Sequence, residues 1–267
     1  MKYVDPMHLR MLAAEAIARE AGALARRRFF DSSFRIQFKG PQDYLTEVDT
    51  ETEQLILSRL HDAFPSDGLI GEETTGHAAA QGEAVWVVDP IDGTVNFARG
   101  IAHFCVSIAC VREGVVEVAA IYDPVRDELF AARRGGGAFL NGAPIKPSEA
   151  TSLASSTIEV GWNVRSGVTK LLELNRRVVL SGGSPFRLGS GALGVAYVAA
   201  GRRDGYVENH IWPWDCMAAI LVVREAGGYV SDFLAGDGLT KGNPLIACAP
   251  GVKDALISAV EIEGIVL

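Results

Sequence analysis

The sequence predicts a layered α/β fold in which helices cover sheets. Two observations predict it: short extended segments separated by turns fill the middle of the chain, and helices alternate with strands after about residue 150. The apolar faces of such strands need helices or a second sheet against them. We treat residues 1–267 as a single domain with a soft internal division near residue 150, because no repeat or low-complexity linker separates two parts.

The N-terminal part predicts two helices around a short strand, followed by a meander. Apolar residues recur at helical spacing in residues 7–30 and 46–64, and the strand-like stretch 34–39 between them stops at Gly40-Pro41. Turn dipeptides such as Asp123-Pro124 then separate short extended segments, which predicts an antiparallel meander. These segments are residues 69–71, 84–88, 104–111, 115–122, 128–132 and 138–140.

The second half predicts alternating elements. Pro213 begins one apolar helical segment and Gly227-Gly228 ends it, which is the usual asymmetry of helix ends. The predicted strands are residues 157–160, 185–188, 205–208, 229–231 and 245–248, and the predicted helices are 168–180, 192–200, 213–226 and 252–260.

Composition excludes several classes of function. Lys plus Arg is 25 and Asp plus Glu is 33, and the resulting formal charge of −8 argues against a nucleic acid as partner. No apolar run approaches the ~20 residues that span a bilayer, and charged residues interrupt the N-terminus where a signal peptide needs an apolar segment. The four cysteines form no CxxC pair. We therefore expect a cytoplasmic protein with reduced thiols and no membrane partner.

Carboxylates at the ends of predicted elements carry the candidate chemistry. Asp89 follows the apolar stretch Trp86-Val87-Val88, and Asp92 comes three residues later, before Gly93-Thr94, which can begin a helix. Both carboxylates are therefore expected to meet beyond a strand end, close to helix N-terminal N–H groups. Mg²⁺ takes carboxylate oxygens, waters and substrate phosphate as ligands, and such N–H groups suit a phosphate. The alternative is that Asp92 caps a helix and Asp89 opens a turn.

Three further acidic sites follow the same pattern. Glu72 follows a short apolar strand, Asp215 lies in the first turn of the helix that Pro213 begins, and Asp49 lies inside a helical pattern. Taken singly, each has another explanation. Glu72 would lie in an exposed loop, Asp215 would match the dipole at a helix start, and Asp49 would lie on a solvated helix face.

Taken in this order, these segments resemble the inositol monophosphatase family of Mg²⁺-dependent, lithium-sensitive sugar phosphatases. The resemblance covers nearly the whole chain and is clearest over residues 39–228. It implies an αβαβα sandwich, the fold that this family shares with fructose-1,6-bisphosphatase, and a homodimer. The motifs that carry it are Gly71-Glu72-Glu73, Asp89-Pro90-Ile91-Asp92-Gly93-Thr94-Val95-Asn96-Phe97, Trp214-Asp215 and Arg224-Glu225-Ala226-Gly227-Gly228.

The resemblance implies two to three Mg²⁺ ions in the active site. One ion would take Glu72, Asp89 and the backbone carbonyl of Ile91. A second would take Asp89, Asp92 and Asp215, and Glu72 would help to hold a weaker third. Such ions would also offset the negative charge of the protein where a phosphate must bind.

The resemblance also implies catalytic and substrate-binding residues. Thr94 and Asp49 would orient and deprotonate the attacking water, together with Glu72 as a catalytic residue. Lys39 matches a lysine near the metal-bound water, and His210 is a further candidate because it lies near Glu208 in sequence. The residues implied to bind the phosphate or the polyol are Asp92, Gly93, Thr94, Ser190, Gly191 and Glu208.

The function implied is hydrolysis of a small polyol phosphate, with inositol 1-phosphate as the first candidate. Histidinol phosphate, fructose 1,6-bisphosphate and 3′-phosphoadenosine 5′-phosphate are alternative esters for the same metal set. The bulky segment Asn209-His210-Ile211-Trp212 is unusual for the family, and Gly191 stands where Ala is common, so the alcohol stays open. An alternative of another class is a non-catalytic binding or regulatory protein that retains the fold.

A dinucleotide-binding alternative rests on the glycine motif of residues 189–194. This GxGxxG opens a predicted helix, and Glu208 lies near the spacing of a ribose-binding acid. However, the motif comes late in the chain, and Arg187 interrupts a strand that should be buried on both faces. It also leaves the acidic sites unexplained, so the phosphatase is the preferred interpretation.

Overall fold

Two N-terminal helices form the first layer of the protein. They are α1 (Pro6–Asp31) and α2 (Glu47–Ala63), and a hairpin of β1 (Ile36–Gly40) and β2 (Asp43–Thr46) joins them. The computed structural model describes residues 5–40, 43–74 and 84–267, without the side chains of residues 39, 43 and 165. Both predicted helices and the first strand are confirmed, and the second strand of the hairpin was not predicted.

A seven-stranded sheet forms the second layer. In spatial order its strands are β3 (Gly68–Gly71), β4 (Val85–Asp92), β5 (Cys105–Arg112), β6 (Val115–Asp123), β7 (Glu128–Arg133), β8 (Ala138–Leu140) and β9 (Ala143–Pro144). The predicted antiparallel meander is confirmed from β4 onward, whereas β3 pairs with β4 in parallel. A short helix, α3 (Thr94–Ala98), follows β4.

The outer helical layer on the far side consists of α4 (Val168–Leu180) and α8 (Lys253–Val260). Helix α4 has the bounds that the sequence predicts. Between this layer and the seven-stranded sheet lie two central helices, α5 (Gly191–Ala199) and α6 (Pro213–Glu225). Helix α6 is apolar almost all round, as expected of a helix buried between two sheets. Among the residues described, no helix is both long and apolar enough to cross a bilayer.

A five-stranded sheet separates the central helices from the outer pair. Its strands, in spatial order, are β11 (Ser184–Phe186), β10 (Thr157–Val160), β12 (Gly205–Ile211), β14 (Asn243–Cys248) and β13 (Tyr229–Val230). Strand β10 runs parallel to both neighbours, and β14 runs antiparallel to both of its own. A one-turn helix, α7 (Gly238–Lys241), precedes β14. The five layers confirm the αβαβα sandwich.

Strand β4 shows how the fold delivers a carboxylate to the site. Val87 faces the central helices, whereas Trp86 and Val88 pack against α1 and α2. A strand buried on both faces is continuously apolar, as this one is until Asp89. The pairing of β4 with β5 becomes irregular between Asp89 and Asp92, so these two carboxylates lie at a local break in the ladder.

A buried ion pair ties the first layer to the seven-stranded sheet. Asp67, whose side chain is fully buried, accepts hydrogen bonds from Arg10 Nε at 3.1 Å and Nη2 at 2.9 Å. Trp86 Nε1 donates to the same carboxylate at 3.0 Å. Because removal of one partner leaves a buried charge uncompensated, this network holds α1 against the sheet far more firmly than an exposed pair would.

We expect Asp67→Ala to lower the free energy of unfolding by about 3–5 kcal/mol, because it removes a fully buried carboxylate and the three hydrogen bonds that Arg10 and Trp86 donate to it. Glu20→Ala is the matched control: Glu20 binds Arg59 with the same two-bond geometry at 3.0 and 2.7 Å, but both side chains are about half exposed. Its loss should cost less than about 1 kcal/mol. Urea unfolding measures both values, and equal losses would contradict the role of burial.

Candidate active site

The strand and helix ends of three layers surround one cavity of ≈ 860 Å³. It opens beyond β3 and β4, at the first residues of α5 and α6 and beside β12. Among the described residues that line it, Arg187 is the single basic one. The acidic residues that line it are Glu72, Asp89, Asp92, Glu159, Glu208 and Asp215.

Three of the predicted metal ligands converge in this cavity. Asp89, Asp92 and Asp215 each offer one carboxylate oxygen, and these oxygens lie within 4.8 Å of one another. Burial, and then the charges of Glu72, Asp92 and Asp215, raise the pKa of Asp89 well above its ordinary value. Burial, followed by the charge of Asp92, does the same to the pKa of Asp215. A compact set of oxygen donors that repel one another fits a hard divalent cation such as Mg²⁺.

The other two predicted ligands border the same cluster. Glu72 lies beside Asp89, and its N–H donates to the Val88 carbonyl at 3.2 Å across the parallel strand pair. The N–H of Ile91 donates to Asp89 Oδ1 at 2.9 Å, and its carbonyl accepts from Thr94 Oγ1 at 3.0 Å. Glu72 and Ile91 both line the cavity.

Asp92 is anchored by a different helix from the one that the sequence predicts. Its Oδ1 accepts from the Gly191 N–H at 3.0 Å and its Oδ2 from the Ala192 N–H at 2.8 Å, while the Ser190 hydroxyl also donates to Oδ2. These donors are the start of α5, about a hundred residues further along the chain. The metal and capping explanations of Asp92 therefore do not exclude each other, since a carboxylate of the cluster also satisfies a helix N-terminus.

Thr94 and Asp49 form the predicted pair. Thr94 Oγ1 lies 3.0 Å from Asp49 Oδ1 and also 3.0 Å from the Ile91 carbonyl oxygen. Asp49 is fully buried and accepts the Thr46 N–H at 2.8 Å in a capping box, so the alternative of a solvated helix face is wrong. Burial raises the pKa of Asp49, although hydrogen bonds from Thr46 and Thr94 oppose the shift.

Gly93 lets the chain turn sharply between the cluster and α3. Its φ is +100°, and a Cβ at this position would lie 3.0 Å from the His103 carbonyl oxygen and 3.3 Å from that of Gly189. Backbone strain and close approach therefore both require glycine here. Gly93 and Thr94 line the cavity beside Asp92.

The predicted polyol-binding residues line the same cavity. Glu208 is buried and its Oε2 accepts the Tyr206 hydroxyl at 2.6 Å. Burial raises the pKa of Glu208 to about 8. Gly191 is closely packed, because a Cβ there would lie 3.1 Å from Ile211 Cδ1 and 3.3 Å from the Asp215 carbonyl oxygen. Its small size lets α5 approach the start of α6.

The structure leaves the prediction for Lys39 untested and describes the surroundings of His210. Lys39 lies in β1, and its side chain is outside the described part of the structure. His210 is not among the residues that line the cavity. Its Nε2 lies 2.8 Å from the Lys241 carbonyl oxygen, and its ring meets Trp212 edge-on at 5.0 Å. Trp212 does line the cavity and stacks on Trp214 at 5.1 Å. Asn163 also lines it, and its Nδ2 lies 3.4 Å from His210 Nδ1, so His210 contacts the site through both residues.

Sequence reasoning missed two buried residues of the wall. Glu159 is 2% exposed and its Oε1 accepts the Leu188 N–H at 3.0 Å. Tyr206 lies on the same strand face as Glu208, two residues before it. The alternation of side chains along a strand is the signal that identifies both. Glu159 is the one charged residue in a short apolar strand, and Tyr206 lies two residues before Glu208 and therefore on the same face.

The dinucleotide alternative is excluded by the same geometry. Strand β11, which precedes the glycine motif, lies at the edge of its sheet rather than in the middle. The N–H groups of Gly191 and Ala192, which would have to bind a pyrophosphate, bind the Asp92 carboxylate instead. A pyrophosphate at this position would meet the Asp92 carboxylate, whereas it needs free N–H donors.

Comparison with known proteins agrees with the geometry. Residues 8–264 match the inositol monophosphatase family. The protein named Nus factor SuhB from Salmonella typhimurium is 37% identical over 260 residues, which cover 96% of this chain and 97% of that one. Inositol-1-monophosphatase from Mesorhizobium japonicum is 38% identical over 254 residues, covering 94% and 92%.

A solved structure extends the similarity to the fold. The crystal structure of extragenic suppressor protein suhB from Bartonella henselae matches with a TM-score of 0.88 at 36% identity, covering 95% of this chain and 98% of that one. Sequence and fold therefore agree over almost the whole length. The chain belongs to the inositol monophosphatase family, whose members are metal-dependent phosphatase-type hydrolases.

Proposed function

We propose that this protein is a Mg²⁺-dependent phosphomonoesterase that hydrolyses a small polyol phosphate, with inositol 1-phosphate as the first candidate. The convergence of Asp89, Asp92 and Asp215 within 4.8 Å, at one end of a cavity of ≈ 860 Å³, is the observation that carries the proposal. A phosphate monoester is a dianion that hydrolyses extremely slowly, so charge neutralisation and an activated water are what it needs. A relative named inositol-1-monophosphatase supports the same chemistry.

The metal ligands that we propose are Glu72, Asp89, the Ile91 carbonyl, Asp92 and Asp215, for two to three Mg²⁺ ions. When bound, Mg²⁺ lowers the pKa of a coordinated water and offsets the charge of the phosphate. The N–H groups of Gly93 and Thr94 would then position the phosphate against these ligands. The carboxylates alone would repel the substrate, which makes hydrolysis dependent on the cation.

Thr94 and Asp49 would remove the proton of the attacking water. Thr94 Oγ1 can accept a hydrogen bond from the water while its own proton points to Asp49 Oδ1, 3.0 Å away. As the water attacks, its proton passes to Thr94 Oγ1 and the threonine proton passes to Asp49. Burial raises the pKa of Asp49, which makes this carboxylate a better proton acceptor than an exposed aspartate.

The alcohol would face the wall formed by Glu208 and the tryptophans. Burial raises the pKa of Glu208 to about 8, which favours a protonated carboxyl group that can donate to a sugar hydroxyl. The Ser190 hydroxyl and the Gly191 N–H already donate to Asp92, so we assign them to the support of this ligand before any polyol contact. Because the bulky side chain of Trp212 lines the cavity, the other phosphate esters remain alternative substrates.

The test is phosphate release with and without Mg²⁺ from four esters: inositol 1-phosphate, histidinol phosphate, fructose 1,6-bisphosphate and 3′-phosphoadenosine 5′-phosphate. We expect Mg²⁺-dependent release that is fastest from inositol 1-phosphate and is inhibited by Li⁺. A preference for another ester would keep the chemistry and replace the substrate. No release from any ester, with Mg²⁺ bound, would contradict the proposal and favour the non-catalytic alternative.

That alternative has one observation in its favour, since a relative is named Nus factor SuhB rather than an enzyme. The Thr94–Asp49 hydrogen bond argues for catalysis, because a purely binding role needs no water-activating pair beside the carboxylate cluster. On the family resemblance we further propose a homodimer. From the net charge, the short apolar runs and the cysteine pattern we propose a cytoplasmic protein without nucleic acid or membrane partners. Sedimentation of the purified chain at two concentrations tests the dimer.

Asp89→Asn should lower phosphate release by more than about 100-fold, since loss of even a residue that supports a ligand costs 10–100-fold. It should also raise the melting temperature of the metal-free protein by roughly 2–4 °C, the effect of about 1 kcal/mol in a chain of this size. Asp89 suits this test better than Asp92, whose carboxylate also caps α5.

The pH dependence of that gain follows from the direction of the pKa shift. The pKa of Asp89 is raised in the folded metal-free protein, so its contribution to stability falls as pH rises above the ordinary value of 3.8. The gain in Asp89→Asn should therefore be present at neutral pH and disappear toward pH 3.8. Thermal unfolding in EDTA across this range measures it, and a variant less stable than the parent at neutral pH would contradict the repulsion.

His210 should influence substrate choice through the two cavity residues that it contacts, Trp212 and Asn163. We expect Trp212→Ala to change the ratio of kcat/KM between two esters by about tenfold and His210→Gly by about threefold, because a side chain in a pocket wall discriminates by about this much. The Mg²⁺ concentration for half-maximal rate should not move. His61→Gly, an exposed histidine in α2, is the control. An effect of His210→Gly that persists undiminished when Trp212 and Asn163 are both replaced by alanine would contradict this route.

A further inference from the structure

Helix α2 directs two buried acids toward the site from the same face. Asp49, fully buried, accepts the Thr94 hydroxyl, and Glu53, one turn later, is 3% exposed. Like charges four residues apart destabilise a helix, and a buried carboxylate is costly unless it is hydrogen-bonded. Asp49 has an assigned task in the proposed mechanism, whereas Glu53 has none, which raises the question of what this second acid holds.

Glu53 is bonded to the turn that carries Glu72. Its Oε1 accepts the Glu73 N–H at 2.9 Å, and the Thr74 hydroxyl donates to its Oε2. Glu72 itself donates its N–H to the Val88 carbonyl at 3.2 Å. The backbone is therefore fixed at Glu72 by the sheet and one residue later by Glu53, so the Glu72 side chain leaves a turn that is held on both sides.

Gly71 shows how closely the carboxylate enters this turn. A Cβ at Gly71 would lie 2.2 Å from Glu53 Oε1 and 2.7 Å from its Cδ, closer than atoms can approach. The glycine is thus required by the presence of the glutamate, not by its own backbone angles. The turn of residues 71–74 is built around the Glu53 carboxylate.

We propose that Glu53 is a positioning residue for the metal site, which sets the place of Glu72 through hydrogen bonds to the turn. The inference rests on the metal site of the proposed function and goes beyond it, since Glu53 does not line the cavity. Partners that orient a ligand have large effects on metal affinity without touching the metal. Glu53 works through its hydrogen bonds, so an amide that preserves them should replace it.

The experiment measures Mn²⁺ binding to the EDTA-treated full chain by electron paramagnetic resonance and, separately, the Mg²⁺ dependence of phosphate release. Glu53→Ala should weaken Mn²⁺ binding about tenfold or more and raise the half-saturating Mg²⁺ concentration by the same factor. The KM for the ester at saturating Mg²⁺ should change little. Glu53→Gln should stay within about threefold of the parent, because its amide can accept from the Glu73 N–H and donate to the Thr74 hydroxyl.

Glu117→Ala is the matched control. Glu117 is also a buried glutamate, 7% exposed, but it lies on β6 outside the cavity and binds Arg134 at 3.3 Å. Its loss should lower the melting temperature without changing Mn²⁺ affinity. If Glu53→Ala does not fold, Thr74→Val decides, since Thr74 is exposed and its substitution removes one of the two hydrogen bonds, with an expected weakening of about two- to fivefold.

Parent-like Mn²⁺ affinity in Glu53→Ala, or in Thr74→Val where the first does not fold, would overturn the positioning role. Affinity in Glu53→Gln as low as in Glu53→Ala would overturn it too, since charge and not hydrogen bonding would then matter. The two proposals fail separately. A parent protein that binds Mn²⁺ but hydrolyses no ester defeats the proposed function, while the comparison of Mn²⁺ affinities still tests Glu53.

Discussion

Repulsion among buried carboxylates is the constraint on which the rest of the site depends. Asp89, Asp92 and Asp215 bring like charges within 4.8 Å in a largely buried position, where each charge also loses its hydration. The protein offsets part of this cost by directing the N-termini of α5 and α6 at the cluster, since these helix ends carry partial positive charge. We propose that a bound divalent cation supplies the remainder. The affinity of the cluster for such a cation would then come from the repulsion that the fold creates.

Two acids serve the fold and the site at once. Asp92 satisfies the first N–H groups of α5 and offers an oxygen to the cluster. Asp49 completes the capping box of α2 and accepts the Thr94 hydroxyl. Because each carboxylate is fixed by a helix end, the spacing between them depends on how α2 and α5 pack against the seven-stranded sheet. The packing of the layers, and not the conformation of flexible side chains, therefore sets the spacing of these two carboxylates.

The sequence predicts what local pattern determines and fails where distant segments meet. Helix α4 has its predicted bounds because its period and its ends are local. Asp92 was expected beside the N-terminus of the helix that follows it, but its partners come from α5, a pairing that no local pattern records. Strand β12 continues to Ile211, past the predicted end at Glu208, because pairing with β14 resumes after an irregularity. Cross-strand pairing overrides the polar residues that suggested an end.

The two halves of the cavity also differ in whether local sequence patterns or contacts between distant segments determine them. Strand ends and helix starts build the half that we propose holds metal and phosphate, so motifs with fixed spacing identify it. Side chains from separate loops and strands build the half that we propose faces the alcohol. Trp162 comes from the loop after β10, Trp212 from the residue before α6, and Glu208 from β12. His210 contacts that half through Trp212 and Asn163. The sequence therefore predicts the proposed metal and phosphate site better than the proposed alcohol site. The first depends on positions that the local backbone defines, and the second depends on long-range packing.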